Sequence, residues 1–157
     1  MTQASLITDE LRAAIGRETP PVTYEVDNLG CRQFARSVGY TDPVFFDEEY
    51  AKSQGHRGIV APAGFLGHPI YNPARPARGP EITGLDIPLK RVLNGGTDVE
   101  YLDEICAGDT LTSTMKIADI TEREGKMGPM IIVNTESTFK NQAGVTVAIM
   151  RGTMIRY

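Results

Sequence analysis

The apolar positions of this chain change their period twice. Val22, Tyr24 and Val26 alternate with polar neighbours, the spacing of a strand with one buried face. Leu29, Phe34, Ala35 and Val38 then recur at helical intervals and predict a helix from about residue 29 to 38, capped by Asp27 or Asn28. Upstream, residues 5–15 predict a short helix with Thr8 as N-cap and Gly16 as its stop, followed by the stiff joint Thr19-Pro20-Pro21. Another short helix is predicted from Asp47 to about Gln54, ended by Gly55. From Gly58 to Gly67 there is no charged residue, and Pro62 suits a first helical turn, where its missing N–H is harmless. That pattern predicts a buried central helix over about 62–70, thinned by Gly64 and Gly67 so that strands can approach it.

Beyond it the pattern breaks. Tyr71 to Pro88 carries Pro73, Pro76, Pro80 and Pro88, a long irregular connection of the kind that usually has a task. Period 2 then returns. Runs rich in Val, Ile and Thr predict strands over Gly96–Leu102, Thr110–Thr121, Met130–Lys140 and Val145–Tyr157, with turns at Gly108-Asp109 and Asn141–Gly144. Helices first and a meander of long antiparallel strands afterwards define an α+β chain.

Composition narrows the function. With 157 residues and 41% hydrophobic content, one domain can bury a full core without metals or disulfides. A net charge of -4 offers no basic surface for nucleic acid. No run approaches the roughly 20 apolar residues of a membrane span. The N-terminus lacks the basic and apolar regions of a signal peptide, and Cys31 and Cys106 are read as reduced thiols; a cytoplasmic protein is expected. His56 and His68 are the only histidines, with no ligand cluster beside either, so no metal is expected.

Residues 37–47, Ser-Val-Gly-Tyr-Thr-Asp-Pro-Val-Phe-Phe-Asp, carry a family resemblance. They resemble the active-site loop of MaoC-type (R)-specific enoyl-CoA hydratases and 3-hydroxyacyl dehydratases, which reads Gly-Asp-x-Asn-Pro-(Ile/Val/Leu)-His. Gly39, Pro43 and Val44 keep the frame. The family's catalytic Asp falls on Tyr40, its Asn on Asp42 and its catalytic His on Phe45. Three further stretches in the same order support the likeness: Gly58-Ile-Val-Ala-Pro-Ala-Gly-Phe65, Leu93-Asn-Gly-Gly-Thr-Asp-Val-Glu-Tyr101 with Gly108-Asp109, and the closing Arg151-Gly-Thr-Met-Ile-Arg-Tyr157. From about residue 20 to the end, the chain resembles the N-terminal, FAS1-like type of MaoC-like dehydratase domain. A 1–19 extension would precede a single 20–157 hotdog, a curved antiparallel sheet wrapped around a central apolar helix.

The resemblance implies a chemistry and a partner. In such enzymes the Asp and His move protons as water adds to, or leaves, a thioester-activated double bond. Backbone N–H groups at the central helix start stabilise the thioester oxygen. By that likeness, Ala61, Pro62, Ala63 and Gly64 would bind substrate, with Gly95 and Gly96 permitting close approach or merely bending a strand. No cofactor is implied. The acyl tunnel lies between two hotdogs, and some family members without the dyad pair with a catalytic sister, as in mycobacterial fatty-acid dehydratase heterodimers. The expected partners are therefore a catalytic MaoC-type hotdog subunit, as heterodimer or dimer of heterodimers, and an acyl-CoA or acyl-carrier-protein thioester.

Each suspect has a plainer reading. Tyr40 and Phe45 line a tunnel or simply fill the space of the lost dyad. Asp42 caps a turn or acts as an acid. Asp47 suits a helix start, and His68 on the central helix is a packed histidine or, with Asp42 or Asp47, a relocated catalytic pair. His56 is read as a solvated loop residue. Arg57, Arg75, Arg78, Lys90 and Arg91 are surface charges or phosphate contacts.

Overall fold

The computed structural model describes residues 5–74 and 84–157. The element order is α1 (Asp9–Ala13), β1 (Val22–Glu25), α2 (Asn28–Ser37), a 3-10 turn (Pro43–Phe45), α3 (Glu48–Ser53), β2 (His68–Pro69), β3 (Val92–Tyr101), β4 (Thr110–Gly125), β5 (Gly128–Lys140) and β6 (Thr146–Arg156). The three caps are side-chain carboxylates or hydroxyls bonding free N–H groups of the first turn: Thr8 to Leu11, Asp27 to Gly30 and Asp47 to Tyr50. Cys31 and Ala35 of α2, one turn apart, are fully buried.

All six strands form one antiparallel sheet in the order β2-β1-β4-β5-β6-β3. The chain curls this sheet. Gly64 is bound to Tyr101 of β3 at one margin, and His68 pairs with Glu25 near the other. The concave face closes around its contents. Val26, Cys31, Ile59, Phe65, Leu111, Phe139 and Val147 form one core beneath α2. Leu11 of α1 and its C-cap Ala14 cover a second against Ile117, Ile120, Ile131 and Val133. The convex face is held by charge: Lys116, Glu136, Arg151 and Glu100 form ion pairs of 2.9, 3.2 and 2.9 Å across four strands.

Three strands exceed their expected bounds, β5 by starting at Gly128 rather than Met130. The third strand begins at Val92 rather than Gly96, because a bulge between Asn94 and Gly96 absorbs the glycines and lets pairing with β6 continue. Strand β4 runs to Gly125 and turns directly into β5.

The expected helix over 62–70 does not form. Those residues make a turn at Ala63-Gly64 and the two-residue strand β2. Gly64 and Gly67 take left-handed φ values of 95° and 87°, which interrupt a right-handed helix. Gly67 also lies so close to β1 that a Cβ there would fall 2.7 Å from the Glu25 carbonyl oxygen. The glycines let this segment cross the sheet as extended chain, and the helix held by the curled sheet is α2.

Candidate functional site

The loop at the end of α2 owes its shape to backbone bonding. Gly39, at φ 80°, donates its N–H to the Arg36 carbonyl, and Tyr40 donates to the Ala35 carbonyl at 2.9 Å. This is the left-handed glycine stop of a helix, and it fixes where Tyr40 leaves it. Asp42 then accepts from the Val44 N–H at 3.0 Å, and Pro43 opens the 3-10 turn whose carbonyl receives the Phe46 and Asp47 N–H groups. Val60 ties the loop to the crossing segment by donating to the Val44 carbonyl at 3.0 Å.

That frame holds two rings together. Tyr40 and Phe45 sit with centroids 5.2 Å apart at an interplanar angle of 30°. Tyr40 remains 38% exposed and Phe45 is half-buried. Phe45 carries no polar group, and Tyr40 offers a phenol hydroxyl. Asp42 and Asp47 are both turned to capping, the plainer of their readings.

The crossing segment lines a shallow pocket of about 180 Å³ with Val60, Ala61 and Ala63 on one side and Tyr101 to Ile105 on the other, Leu102 excepted. Its donors are largely engaged. Ala61 N–H binds the Ile105 carbonyl at 2.9 Å, and Gly64 N–H binds the Tyr101 hydroxyl at 2.6 Å. Pro62 has no N–H, and Ala63 lines the pocket. Gly96 lines a different pocket, about 260 Å³, with Thr97, Thr135 and Gly152. Gly95 lies instead against β6, where a Cβ would meet Thr153 at 2.8 Å. The structure thus does not bring Ala61–Gly64 and Gly95-Gly96 into one cavity.

Behind the first pocket stands a polar cluster that sequence reasoning missed. Asp109, with its side chain 1% exposed, receives both terminal nitrogens of Arg57 at 2.8 Å, the Cys106 N–H at 2.9 Å and the Gln142 amide at 3.0 Å. Burial works to raise this carboxyl, but those donors outweigh it and hold it down at about 2. The hydrogen bonds to Asp109 raise Arg57 in turn, and its side chain stays half-exposed. His56 is not a solvated loop residue. Its Nδ1 is hydrogen-bonded to Glu104 Oε1, and Glu104 lines the pocket. Burial opposes ionisation of Glu104, and the His56 and Cys106 contacts overcome it and lower its pKa. The signals were long-range: 48 and 52 residues separate these partners.

The remaining candidates lie elsewhere. His68 is 63% exposed at the β2 margin, 3.9 Å from Asp27 and edge-on to Phe65; no contact joins it to Asp42 or Asp47. Burial pushes the thiols of Cys31 and Cys106 up to about 12 and about 11, leaving no thiolate nucleophile at neutral pH. Arg75 and Arg78 fall outside the described residues. Among the described residues no group of three or more ligating side chains could hold a metal, and no helix is long and apolar enough to cross a membrane.

Comparison with known proteins agrees with this architecture. Residues 13–150 match the family described as "FAS1-like, dehydratase domain region". A UPF0336 protein of Streptomyces griseus is 36% identical over 71% of this chain and 73% of its own length. A probable enoyl-CoA hydratase alpha subunit of Thermomonospora curvata is 28% identical over 80% of this chain, which spans 43% of that relative. Among solved structures, the HadBC (3R)-hydroxyacyl-ACP dehydratase complex of Mycobacterium tuberculosis matches with a TM-score of 0.70 at 24% identity, over 90% of this chain and 96% of that one. The ChsH1–ChsH2 complex from the same organism matches at 0.69 and 18% identity, over 94% and 87%. The curled sheet, the loop after α2 and these likenesses together make the chain a member of the FAS1-like dehydratase family, built on the MaoC-like hotdog fold.

Proposed function

We propose that this chain is a subunit of a heteromeric (R)-specific enoyl-CoA hydratase or 3-hydroxyacyl-thioester dehydratase, shaping the acyl tunnel while a hotdog partner supplies the Asp/His dyad. The observation that carries the reading is the Tyr40–Phe45 ring contact, in a loop whose Gly39, Asp42 and Pro43 geometry is otherwise intact. The frame that would aim an acid and a base now presents two rings. Tyr101 supports the same reading, because its hydroxyl already occupies the Gly64 N–H that a thioester oxygen would need. So does the company the fold keeps: both solved neighbours named above are complexes.

In this reading the chain contributes apolar wall and the partner's carboxylate and imidazole handle the water and the α-carbon proton. The ligand is an acyl thioester of CoA or carrier protein, the reaction needs no cofactor, and it takes place in the cytoplasm. Native co-purification of the tagged chain with mass spectrometry tests it. Stoichiometric recovery of a hotdog bearing Gly-Asp-x-Asn-Pro-x-His supports the reading; consistent recovery without one overturns it. Tyr40→Asp with Phe45→His gives a second handle: enoyl-CoA hydration above that of the unaltered chain is the expected gain.

One observation favours a second reading, a self-sufficient hydratase or thioesterase with relocated groups. The imidazole–carboxylate contact of His56 and Glu104 stands at the pocket of Ala61 and Ala63. If it moves protons, the purified chain alone turns over an enoyl- or acyl-CoA, and His56→Gln abolishes that turnover. Absence of turnover in the unaltered chain removes this reading. A chain that binds acyl-CoA without partner or turnover would instead be a binding module.

A further inference from the structure

Midway between the two cores, the concave face of the sheet loses its side chains. One row crosses four strands there: Ile117 of β4 pairs with Thr135 of β5, Thr135 with Gly152 of β6, and Gly152 with Thr97 of β3. The neighbours of Gly152 on β6 are apolar, Met150 packed against the first core and Met154 against the second. Gly152 has no left-handed φ to account for its being glycine. A Cβ there would meet Thr135 Oγ1 at 3.1 Å. Without it the row is a groove of about 260 Å³ bordered by Asn94, Gly96, Thr97, Thr135 and Met154.

The groove is polar where the cores beside it are apolar. It reaches β3 at the margin of the sheet, and its row ends inward at Ile117, buried with Leu11 of α1. From Thr97 to Thr135 is two strand spacings, ~10 Å. Thr135 is half-buried, and its hydroxyl reaches the Gly152 carbonyl only at 3.5 Å, the outer limit of a hydrogen bond. A hydrocarbon laid along this row would strip water from the Thr97 and Thr135 hydroxyls and return no bond. That costs more than a made hydrogen bond gains. A chain with an oxygen of its own at that depth bonds them instead.

We infer that this groove takes the acyl tail of the thioester and selects tails bearing a hydroxyl or ketone oxygen beyond the β-carbon over plain hydrocarbon. Thr97 and Thr135 determine the specificity, and Gly152 supplies the space. The inference rests on the function proposed above, whichever chain holds the dyad.

Isothermal titration calorimetry tests it on the full-length chain, together with its partner if one co-purifies. The probes are saturated acyl-CoAs of six to twelve carbons, the same chains with one hydroxyl or ketone beyond the β-carbon, and free CoA. In the unaltered protein the oxygenated chain should bind about fivefold or more tighter than the plain one. Thr97→Val with Thr135→Val keeps shape and strand propensity, and should erase that preference while leaving plain chains no weaker. Gly152→Ala should weaken every chain long enough to enter the groove, with circular dichroism unchanged. Equal affinity for plain and oxygenated chains overturns the inference, and so does a preference that survives both valines. If free CoA loses as much affinity as its esters in the valine variant, the pantetheine arm occupies the groove and the assignment to the tail is overturned. No binding of any acyl-CoA overturns the functional reading itself, and this inference with it.

Discussion

Asp109 shows how much one side chain can hold. It is buried, yet it is ionised because Arg57, Cys106 and Gln142 all donate to it. Its folded pKa of about 2 lies below the ordinary 3.8, so the stabilisation is complete above about pH 4 and is lost as pH falls towards 2. The shift corresponds to roughly 2 kcal/mol. Guanidinium unfolding followed from pH 5 to pH 2 should show that loss in the unaltered chain. Asp109→Asn should be less stable at pH 6 and should flatten the profile between pH 4 and 2. Two glycines give a second contrast at this scale. Gly39 and Gly67 share a left-handed backbone, but only Gly67 has no room for a Cβ. Gly39→Ala should destabilise by about 1 kcal/mol. Gly67→Ala adds a clash with the Glu25 carbonyl and should lower the denaturant midpoint clearly further.

Among the elements, those governed by local chemistry were legible. Thr8, Asp27 and Asp47 were expected at or beside helix starts, and each caps one. The strands of the second half also emerge where their β-branched alternation lies. The failure came where a local cue had two meanings. Pro62 with Gly64 and Gly67 suited a thinned helix, but glycine serves left-handed turns and close packing equally well. Only the nearness of β1, set by a strand more than forty residues away, selects the second meaning. Helix α1 is the element whose loss would test the packing. Leu11→Ala opens space between α1 and Ile117, Ile120 and Ile131 and should cost about 2–4 kcal/mol. The two cores share strands β4 and β5, so circular dichroism and tyrosine fluorescence should still report one transition.

At the scale of the whole molecule, the fold class and the family were legible in residue order alone. Period-2 strands after amphipathic helices require an antiparallel sheet with helix on one face, and the loop from Gly39 to Asp47 keeps its glycine, proline and capping carboxylate because its shape depends on local backbone bonds. By the family resemblance, Tyr40 and Phe45 stand where the Asp and His of the dyad would fall. What surrounds the loop depends on contacts between distant segments. The tertiary structure brings the Tyr40 and Phe45 rings together, puts the Tyr101 hydroxyl on Gly64, joins His56 to Glu104, and separates His68 from Asp42 and Asp47. These pairings span 5 to 48 positions, and they follow from how far the sheet curls and which strands meet. Curl is the summed effect of two cores, three shifted registers and one crossing segment, and no local stretch of sequence encodes such a sum.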